Sequence, residues 1–369
     1  MLFRKYNYSS SGSLSVLAWK KFKTNRLGFG SLIFICITVI ITCLGYLITP
    51  DSTPYANDQC LELGTKKPGF SVLMLLVKKN QEPVGSNFLQ TMIHGKRSNY
   101  VSVPINSFRI DGDQIIISEY SDPPMIHPVE QSYLLTEVKG PVNRTFILGT
   151  DRFGRDYLSQ LVIGTRVSLS VGFISILISL VIGIFIGSIG GFFRGWIDNV
   201  VVWFINVVWS IPTLLLVIAI TFALGKGFWQ VFIAVGLTMW VEVARVVRGQ
   251  ILSIREKEFV EAGRALGFSN FRIIFHHILP NVMSVVIVIS AANFASAILL
   301  EAGLSFLGIG VQPPMPSWGS MIKENYGYIV LDSAYLAILP GFAIMLMVLA
   351  FMLVGNALRD ALDVKSSAG

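Results

Sequence analysis

The sequence predicts an all-α polytopic membrane protein with six transmembrane helices and one polar insertion between the first two. Three observations lead to this fold class: a shortage of charge, six long apolar runs and the basic residues that flank those runs. Of the 369 residues, 53% are hydrophobic and only 14% are charged, and the mean hydropathy is +0.64. Soluble domains carry about 25% charged residues, so lipid is expected to surround much of this chain.

Each of the six apolar runs is long enough to cross a hydrocarbon core, which takes about 20 helical residues. The first run lacks a small-residue cleavage site and is too long for a signal peptide, so we interpret it as a signal anchor. Pro212 in the third run predicts a kink, because proline removes a helical hydrogen bond. The predicted spans are residues 28–48, 168–189, 200–224, 228–247, 282–300 and 335–354.

Basic residues predict the orientation, since short loops rich in Lys and Arg stay in the cytoplasm. With the N-terminus inside, the short cytoplasmic segments hold 15 basic residues, whereas the two short outer loops hold only Lys226 and Lys323. The net charge of +7 would also suit nucleic acid, but the position of these residues beside the spans favours membrane lipid and no nucleic-acid partner. The predicted segments are an N-terminal cytoplasmic piece 1–27, a first helix 28–49, an outer insertion 50–145, a core 146–358 with cytoplasmic loop 248–281, and a cytoplasmic tail 359–369.

The insertion is polar and shows strand patterns. Residues 70–77 form a strand-like apolar run, and residues 107–118 form a hairpin pattern around Asp111-Gly112. Asp-Gly supplies the positive φ angles that a two-residue turn needs. A lone hairpin is marginal in water, so we expect a small α/β domain on the outer face, with a disordered linker as the alternative.

The sequence predicts no catalytic residue and no metal site. The phosphate-loop pattern GxxxxGK[ST] is missing from the sequence. The histidines lack cysteine or carboxylate neighbours at ligand spacing; they are His94, His127, His276 and His277. Cys36 and Cys43 are roughly 10 Å apart on one helix, too far for a disulfide, and Cys60 has no evident partner.

Ionisable residues are scarce inside the predicted spans, whereas ion-coupled carriers place such residues near mid-membrane. Asp198, Glu242 and Arg245 lie near cytoplasmic ends, and Glu301 lies at an outer end. The energy for any transport is therefore expected to come from a partner. Gly183, Gly187 and Gly191 form a ladder on one helix face, which suits either ordinary helix packing or an interface with a second membrane chain.

The loop between the fourth and fifth spans holds two predicted helices. Ser253 to Glu256 matches a capping box, so the first helix is expected to run from Arg255 to Leu266 and to end at Gly267. Ser269 is expected to cap a second helix over 271–279, which Pro280 would end. The side chains of Phe259, Ala262 and Leu266 form one apolar stripe at helical spacing.

This loop resembles the EAA loop of binding-protein-dependent ABC importer permeases, whose pattern is Glu-Ala-Ala, three residues, Gly, nine residues, Ile, one residue, Leu-Pro. Gly263 departs from the pattern in place of the second Ala, and His277 departs in place of Ile. Glycine weakens the helix by up to about 1 kcal/mol. The residues that the resemblance assigns to ATPase coupling are Glu261, Ala262, Gly263, Gly267, Leu279 and Pro280.

Two further motifs resemble the C-type permease subunit of the peptide and nickel branch of that family. The motif at 148–156 contributes Gly149, Thr150, Asp151, Gly154, Arg155 and Asp156. The motif at 301–319 contributes Glu301, Gly303, Gln312, Pro313, Pro314 and Trp318. For the charged residues of the first motif, capping and pairing at a helix start stand beside gating or docking. For Glu301 the structural role is favoured over a place on the translocation path.

The resemblance implies a type I ABC importer permease core in a bacterial cytoplasmic (inner) membrane, with both termini in the cytoplasm. It implies a second permease subunit, two cytoplasmic ATPase subunits that hold ATP and Mg, and an extracytoplasmic substrate-binding protein, with no cofactor on this chain. Di- or oligopeptides are the implied cargo, and nickel or another small solute is the alternative. An ion-coupled secondary carrier is the rival class.

Overall fold

The computed structural model describes residues 14–80, 87–123, 129–225 and 227–363, and His127 lies outside these residues. A π-helical turn, Ile273–Ile278, joins the ninth and tenth helices of this part of the chain. The α-helices are α1 Leu14–Thr24, α2 Arg26–Ile48, α3 Phe88–His94, α4 Tyr157–Phe193, α5 Gly195–Trp209, α6 Thr213–Leu224, α7 Phe228–Ile254, α8 Glu258–Ala265, α9 Asn270–Arg272, α10 Leu279–Phe306, α11 Trp318–Asn325 and α12 Tyr335–Leu362.

Five helices of the described chain are long and apolar enough to cross a membrane: α2, α4, α7, the continuous helix from Asn270 to Phe306, and α12. The pair α5 and α6 brings the number to six if it counts as one span. The predicted multi-pass helical fold is therefore confirmed.

The third predicted span, residues 200–224, is not one helix. The axes of α5 and α6 differ by 90°. Pro212 lies immediately before α6 and has no N–H to donate, so the helical bonding stops at Ser210 and restarts at Thr213. The kink predicted at Pro212 is in fact a break.

Helix α4 begins at Tyr157, eleven residues before the predicted start at Ser168. Asp156 caps it, because its carboxylate accepts a hydrogen bond from the backbone N–H of Ser159 at 2.9 Å. With 37 residues, α4 is about 55 Å long, so it extends well beyond a hydrocarbon core about 30 Å thick. The prediction was too short because the first turns of α4 contain polar residues.

The glycine ladder of α4 packs against α7 of the same chain. A Cβ atom at Gly183 would lie 2.5 Å from Val243 Cβ, one at Gly187 2.5 Å from the Ala244 carbonyl oxygen, and one at Gly191 2.9 Å from the Arg248 carbonyl oxygen. Such distances are too short for any side chain, so glycine lets the two helix backbones touch. Of the two alternatives that the spacing left open, the structure shows helix packing within the chain.

The insertion contains a five-stranded antiparallel sheet in the order β4-β3-β2-β1-β5. The strands are β1 Phe70–Lys78, β2 Tyr100–Asp111, β3 Gln114–Glu119, β4 Glu130–Leu134 and β5 Val138–Phe146. The hairpin predicted at Asp111-Gly112 is present, but its loop is shifted by one residue. Asp111 pairs with Gln114, so the loop is Gly112-Asp113, and Gly112 has a φ of +57°.

Candidate functional site

The capping box predicted at Ser253 is wrong. Helix α7 continues to Ile254, where the N–H of Arg255 still donates to the Ile251 carbonyl at 2.9 Å. Ile251 is fully buried, so packing extends this helix past the local start signal. The next helix, α8, begins at Glu258 instead.

A glycine turn ends α8 at the predicted position. Gly267 has a φ of +75°, in the left-handed region where residues with a Cβ are strained. The N–H of Phe268 donates to the Gly263 carbonyl at 3.0 Å, and the N–H of Gly267 donates to the Arg264 carbonyl at 2.9 Å. This pair of bonds is a Schellman motif. No atom lies within 4 Å of the Cβ position at Gly267, so backbone conformation alone requires glycine there.

Helix α8 buries one face and exposes the other. Val260 and Gly263 are buried, and a Cβ at Gly263 would lie 3.8 Å from the Ile273 side chain. Glu261 and Ala262 are exposed. The predicted apolar stripe also faces outward, since Leu266 is 72% exposed and Phe259 41%. The outward side of this helix and its C-cap therefore carries exposed apolar side chains together with Glu261.

Pro280 does not end a helix, which corrects the second boundary predicted in this loop. The helix from Asn270 continues through Pro280 to Phe306. A π-helical turn over Ile273–Ile278 precedes the proline, and the N–H of Leu279 donates to the Ile274 carbonyl five residues back. The wider turn accommodates a residue without an N–H, and the Asn281 side chain donates to the His277 carbonyl at 2.7 Å. Leu279 and Pro280 therefore join the loop rigidly to the span α10.

Charged contacts connect the loop and the C-terminal part of α7 to the junction of α4 and α5. Arg194 forms an ion pair with Glu256, and the Arg248 Nη2 atom lies 2.7 Å from Asp198 Oδ2. The Arg255 guanidinium donates to the Phe192 carbonyl. Burial lowers the pKa of Arg255, and the nearby Arg194 and Arg264 cations lower it further. These contacts join the loop and the end of α7 to the neighbouring helices α4 and α5.

The charged residues of the motif at 148–156 form a buried network at the other end of the molecule. Arg155 donates through Nε to Asp151 Oδ2 at 2.7 Å and through Nη2 to Glu324 Oε2 at 2.9 Å. Its Nη1 atom donates to the Asn57 side chain at 3.2 Å. Asp151 is 1% exposed and Arg155 7%. The network joins the segment after α2, the start of α4 and α11.

The same motif wraps closely around residues 60–66. Gly154 has a φ of +69°, and a Cβ there would lie 1.7 Å from the Cys60 carbonyl oxygen. Gly149 has a φ of +75°, and its Cβ would lie 2.2 Å from the Lys66 carbonyl oxygen. The Lys66 N–H donates to the Thr150 hydroxyl at 2.8 Å. Only glycine permits the backbone to come this close to both carbonyls, so the motif packs directly against residues 60–66 of the insertion.

Glu301 is fully buried near the C-terminal end of α10. Its carboxylate accepts hydrogen bonds from the hydroxyl of Ser305 at 2.7 Å and from that of Ser168 on α4 at 3.1 Å. Gln312 donates to the Gly310 carbonyl at 2.8 Å, and the Trp318 indole donates to the Leu161 carbonyl at 3.1 Å. Glu301 thus joins α10 to α4, and Trp318 joins α11 to α4.

The motifs at 148–156 and 301–319 meet at a small cavity, which is lined by Arg155, Pro313, Pro314 and Glu324, among other residues. Gly303 has no atom within 4 Å of its Cβ position, so close packing does not require a glycine there. The sequence analysis did not identify three residues that contribute to these contacts, Asn57, Ser168 and Glu324. The polar Ser168 at a span's edge was a signal, but its partner Glu301 is 133 residues away.

A family model described as the binding-protein-dependent transport system inner membrane component matches residues 156–367, more than half of the chain. This chain belongs to that family. A second model, the N-terminal transmembrane domain of oligopeptide transport permease C, matches residues 13–64. The family resemblance found in the motifs is thus confirmed, and the chain is a membrane-spanning permease subunit of an ABC importer rather than an ion-coupled carrier.

The permease is similar to curated proteins of several bacteria. It is 42% identical over 217 residues to the dipeptide transport system permease protein DppC of Alkalihalophilus pseudofirmus, covering 59% of this chain and 71% of that protein. It is 40% identical over 218 residues to the glutathione transport system permease protein GsiD of Pectobacterium atrosepticum, covering 59% and 72%. It is 41% identical over 217 residues to the oligopeptide transport system permease protein OppC of Haemophilus influenzae, covering 59% and 70%.

The sheet lies outside both family models. Residues 65–155 separate the two matched ranges, and the strands occupy Phe70–Phe146 within that gap. The permease therefore combines a family core with a sheet domain that the family models do not describe.

Proposed function

We propose that this permease imports di- or oligopeptides along a path that it forms with a second permease chain. Two cytoplasmic ATPases, which hold ATP and Mg, would drive the cycle, and an extracytoplasmic binding protein would deliver the peptide. The names of the relatives support the cargo, because DppC, OppC and GsiD are named for dipeptide, oligopeptide and glutathione transport. Glutathione is itself a small peptide. Nickel or another small solute remains the alternative cargo.

The observation that carries the coupling role is the outward face of α8. Glu261, Ala262 and the apolar Leu266 project from the chain while Val260 and Gly263 anchor the helix. Burial of such exposed apolar side chains against a partner would stabilise the contact by about 25 cal/mol per Å² of apolar surface removed from water. We assign this face to the ATPase. Closure of the ATPases would then move α8 as a rigid body, and the π-helical turn and Arg255 would pass the motion to α10 and α4.

The bent pair α5–α6 supports the proposed second permease chain. Trp203 is 65% exposed and Trp209 60%. Trp209 stacks under the Arg245 guanidinium, whose central carbon lies 3.5 Å from the ring centroid. A cavity of about 290 Å³ opens between this pair, α7 and α10, and Glu242 and Thr238 contribute polar atoms to it. We assign this wall to the translocation path between the two chains.

Two substitutions test the coupling role. Glu261→Lys reverses a charge on the proposed docking face, and Gly267→Val places a Cβ on a left-handed backbone, at a cost of about 1 kcal/mol or more. Both variants are expected to insert into the membrane normally, yet to lose most ATP-dependent peptide uptake in lipid vesicles. Their ATPase rate is expected to stop responding to loaded binding protein.

The matched control is Glu137→Lys, the same charge reversal on the exposed end of the sheet. It is expected to leave uptake unchanged. Wild-type uptake by both loop variants would refute the coupling role. Uptake of nickel but not of labelled dipeptides by the wild-type complex would leave the coupling role intact and replace the cargo.

A further inference from the structure

We propose that the short helix α3 of the insertion lies in the lipid bilayer, with its apolar face among the acyl chains of the leaflet on the side of the sheet. The partner of this surface is phospholipid, and the basic residues next to α3 favour anionic headgroups. This inference rests on the position of α3 relative to the spans and is independent of the cargo.

Arg166 fixes the depth of α3. This residue is the tenth of α4, and its guanidinium donates to the carbonyls of Thr42 and Cys43 on α2 at 2.8 and 3.2 Å. The same guanidinium donates to the carbonyls of Met92 and Ile93, at the C-terminal end of α3, at 2.6 and 3.0 Å. One side chain therefore holds the end of α3 close to the level of Thr42.

That level is inside the predicted hydrocarbon region. Thr42 lies six residues before Ile48, the last residue of α2, which is about 9 Å along a helix axis. Counted from Arg26 at the other end of α2, a core about 30 Å thick extends to about residue 46. The C-terminal end of α3 thus lies within several ångströms of the acyl boundary, which is the depth of interfacial helices.

The outward face of α3 is apolar. Phe88, Leu89 and Ile93 are 67%, 63% and 55% exposed. Leu89 and Ile93 are four residues apart, so they share one face of the helix. The exposed side chains of Leu47 and Ile48 on α2 supply apolar surface at the same end of the molecule.

Basic residues lie just above this apolar surface. The Lys96 N–H donates to the carbonyl of Ser52 at 2.7 Å. Ser52 is the fourth residue after the end of α2, so Lys96 lies beyond the end of that helix. The paired strand ends bring further cations there, since the Lys79 N–H donates to the Asn99 carbonyl at 2.8 Å. Within the described residues, none of the four cations forms an ion pair; they are Lys78, Lys79, Lys96 and Arg97.

An apolar helix face with cations directly above it matches the order of acyl chains and headgroups in an anionic bilayer. Arg166 itself has no carboxylate partner in the described chain. Its charge is instead offset by four carbonyls and by the Tyr46 ring, whose centroid lies 4.7 Å from the guanidinium carbon. Holding α3 at this depth is the role that we assign to it.

Spin labels on the assembled transporter in vesicles of mixed zwitterionic and anionic phospholipid test the proposal. Single cysteines would replace Leu89, Ile40 on the exposed face of α2, and Ser107 on the sheet, in a background without the native cysteines. The nitroxide at Leu89 is expected to collide more often with oxygen than with a water-soluble nickel chelate, as the label at Ile40 does. The depth of the Leu89 label is expected to be roughly 5–10 Å below the phosphates. The label at Ser107 is expected to favour the nickel chelate.

Two outcomes would overturn the proposal. Leu89 labels as accessible to the nickel chelate as those at Ser107 would place α3 in water. An immobilised label shielded from both reagents would place it against another protein subunit. As a second measurement, Arg166→Gln is expected to raise nickel accessibility at Leu89 several-fold and to leave Ile40 unchanged; no change at Leu89 would remove the assigned role of Arg166.

Discussion

The tripeptide Glu-Ala-Gly occurs twice in this permease, in α8 at Glu261 and in α10 at Glu301. The two copies have opposite environments. Glu261 is exposed while Gly263 is buried against Phe268 and Ile273. Glu301 is fully buried between two serine hydroxyls while Gly303 has open space at its Cβ position. The same three residues therefore present opposite faces to their own chain.

The difference shows that the position of a residue in the tertiary structure, and not the local sequence, decides whether its side chain is buried. A buried carboxylate is costly unless hydrogen bonds satisfy it, and Glu301 accepts hydrogen bonds from the hydroxyls of Ser168 and Ser305. An exposed carboxylate bears no such cost and keeps its acceptors for a partner. The α10 copy thus joins α10 to α4, and the glutamate of the α8 copy lies on the face that we assign to the ATPase.

The largest expected effect on stability separates the two glutamates. Glu301→Ala leaves two buried hydroxyls without their acceptor, so it is expected to lower the free energy of unfolding by about 1–3 kcal/mol. Glu261→Ala, the matched change on α8, is expected to stay within about 0.5 kcal/mol. Denaturant unfolding of the permease purified without the ATPases measures both. Equal losses of stability would show that the environments of the two residues do not differ as the structure describes.

The two glycines give a smaller effect of opposite sign. A Cβ at Gly263 would meet Phe268 at 3.5 Å, an ordinary contact, and a Cβ at Gly303 would meet nothing within 4 Å. Alanine is a better helix former, so Gly263→Ala and Gly303→Ala are each expected to stabilise by up to about 1 kcal/mol. Gly267→Ala is the control, and its left-handed backbone predicts destabilisation instead. Destabilisation by Gly263→Ala would mean that α8 packs more tightly than these distances allow.

Local chemistry explains which features the sequence predicted well. The apolar runs, the Asp-Gly hairpin and the turn at Gly267 each depend on residues within one element or one turn. Their physical causes, namely hydrophobic length and positive φ, are present in the sequence itself.

The features that were missed depend on contacts between distant residues. Helix α7 passes Ser253 because Ile251 is buried in the tertiary core. Arg166 escaped notice because its four carbonyl acceptors come from α2 and α3. No sequence window contains those partners, so neither the boundaries nor the role of Arg166 could be derived locally.

The reactivity of one native thiol tests the smallest effect of the same contrast, because the segment around Gly154 is tightly packed and the outward face of α8 is exposed. Cys60 is 6% exposed, and its thiol donates to the Ser102 carbonyl at 3.2 Å. Burial, together with the negative charges of Asp58 and Glu62, raises the pKa of Cys60 to about 12.

At pH 8 only about one Cys60 in 10⁴ is then a thiolate, the form that reacts with maleimides. In the permease purified in detergent without the ATPases, and with Cys36 and Cys43 replaced, Cys60 is expected to react very slowly, at a rate that rises about tenfold per pH unit. A cysteine at exposed Ala262 is the control; it should react within minutes and level off above about pH 9, because an open thiol keeps a pKa near 8.5. Equal labelling rates at Cys60 and Ala262→Cys would show that the segment around Gly154 opens to solvent. The close packing described for the motif at 148–156 would then be wrong.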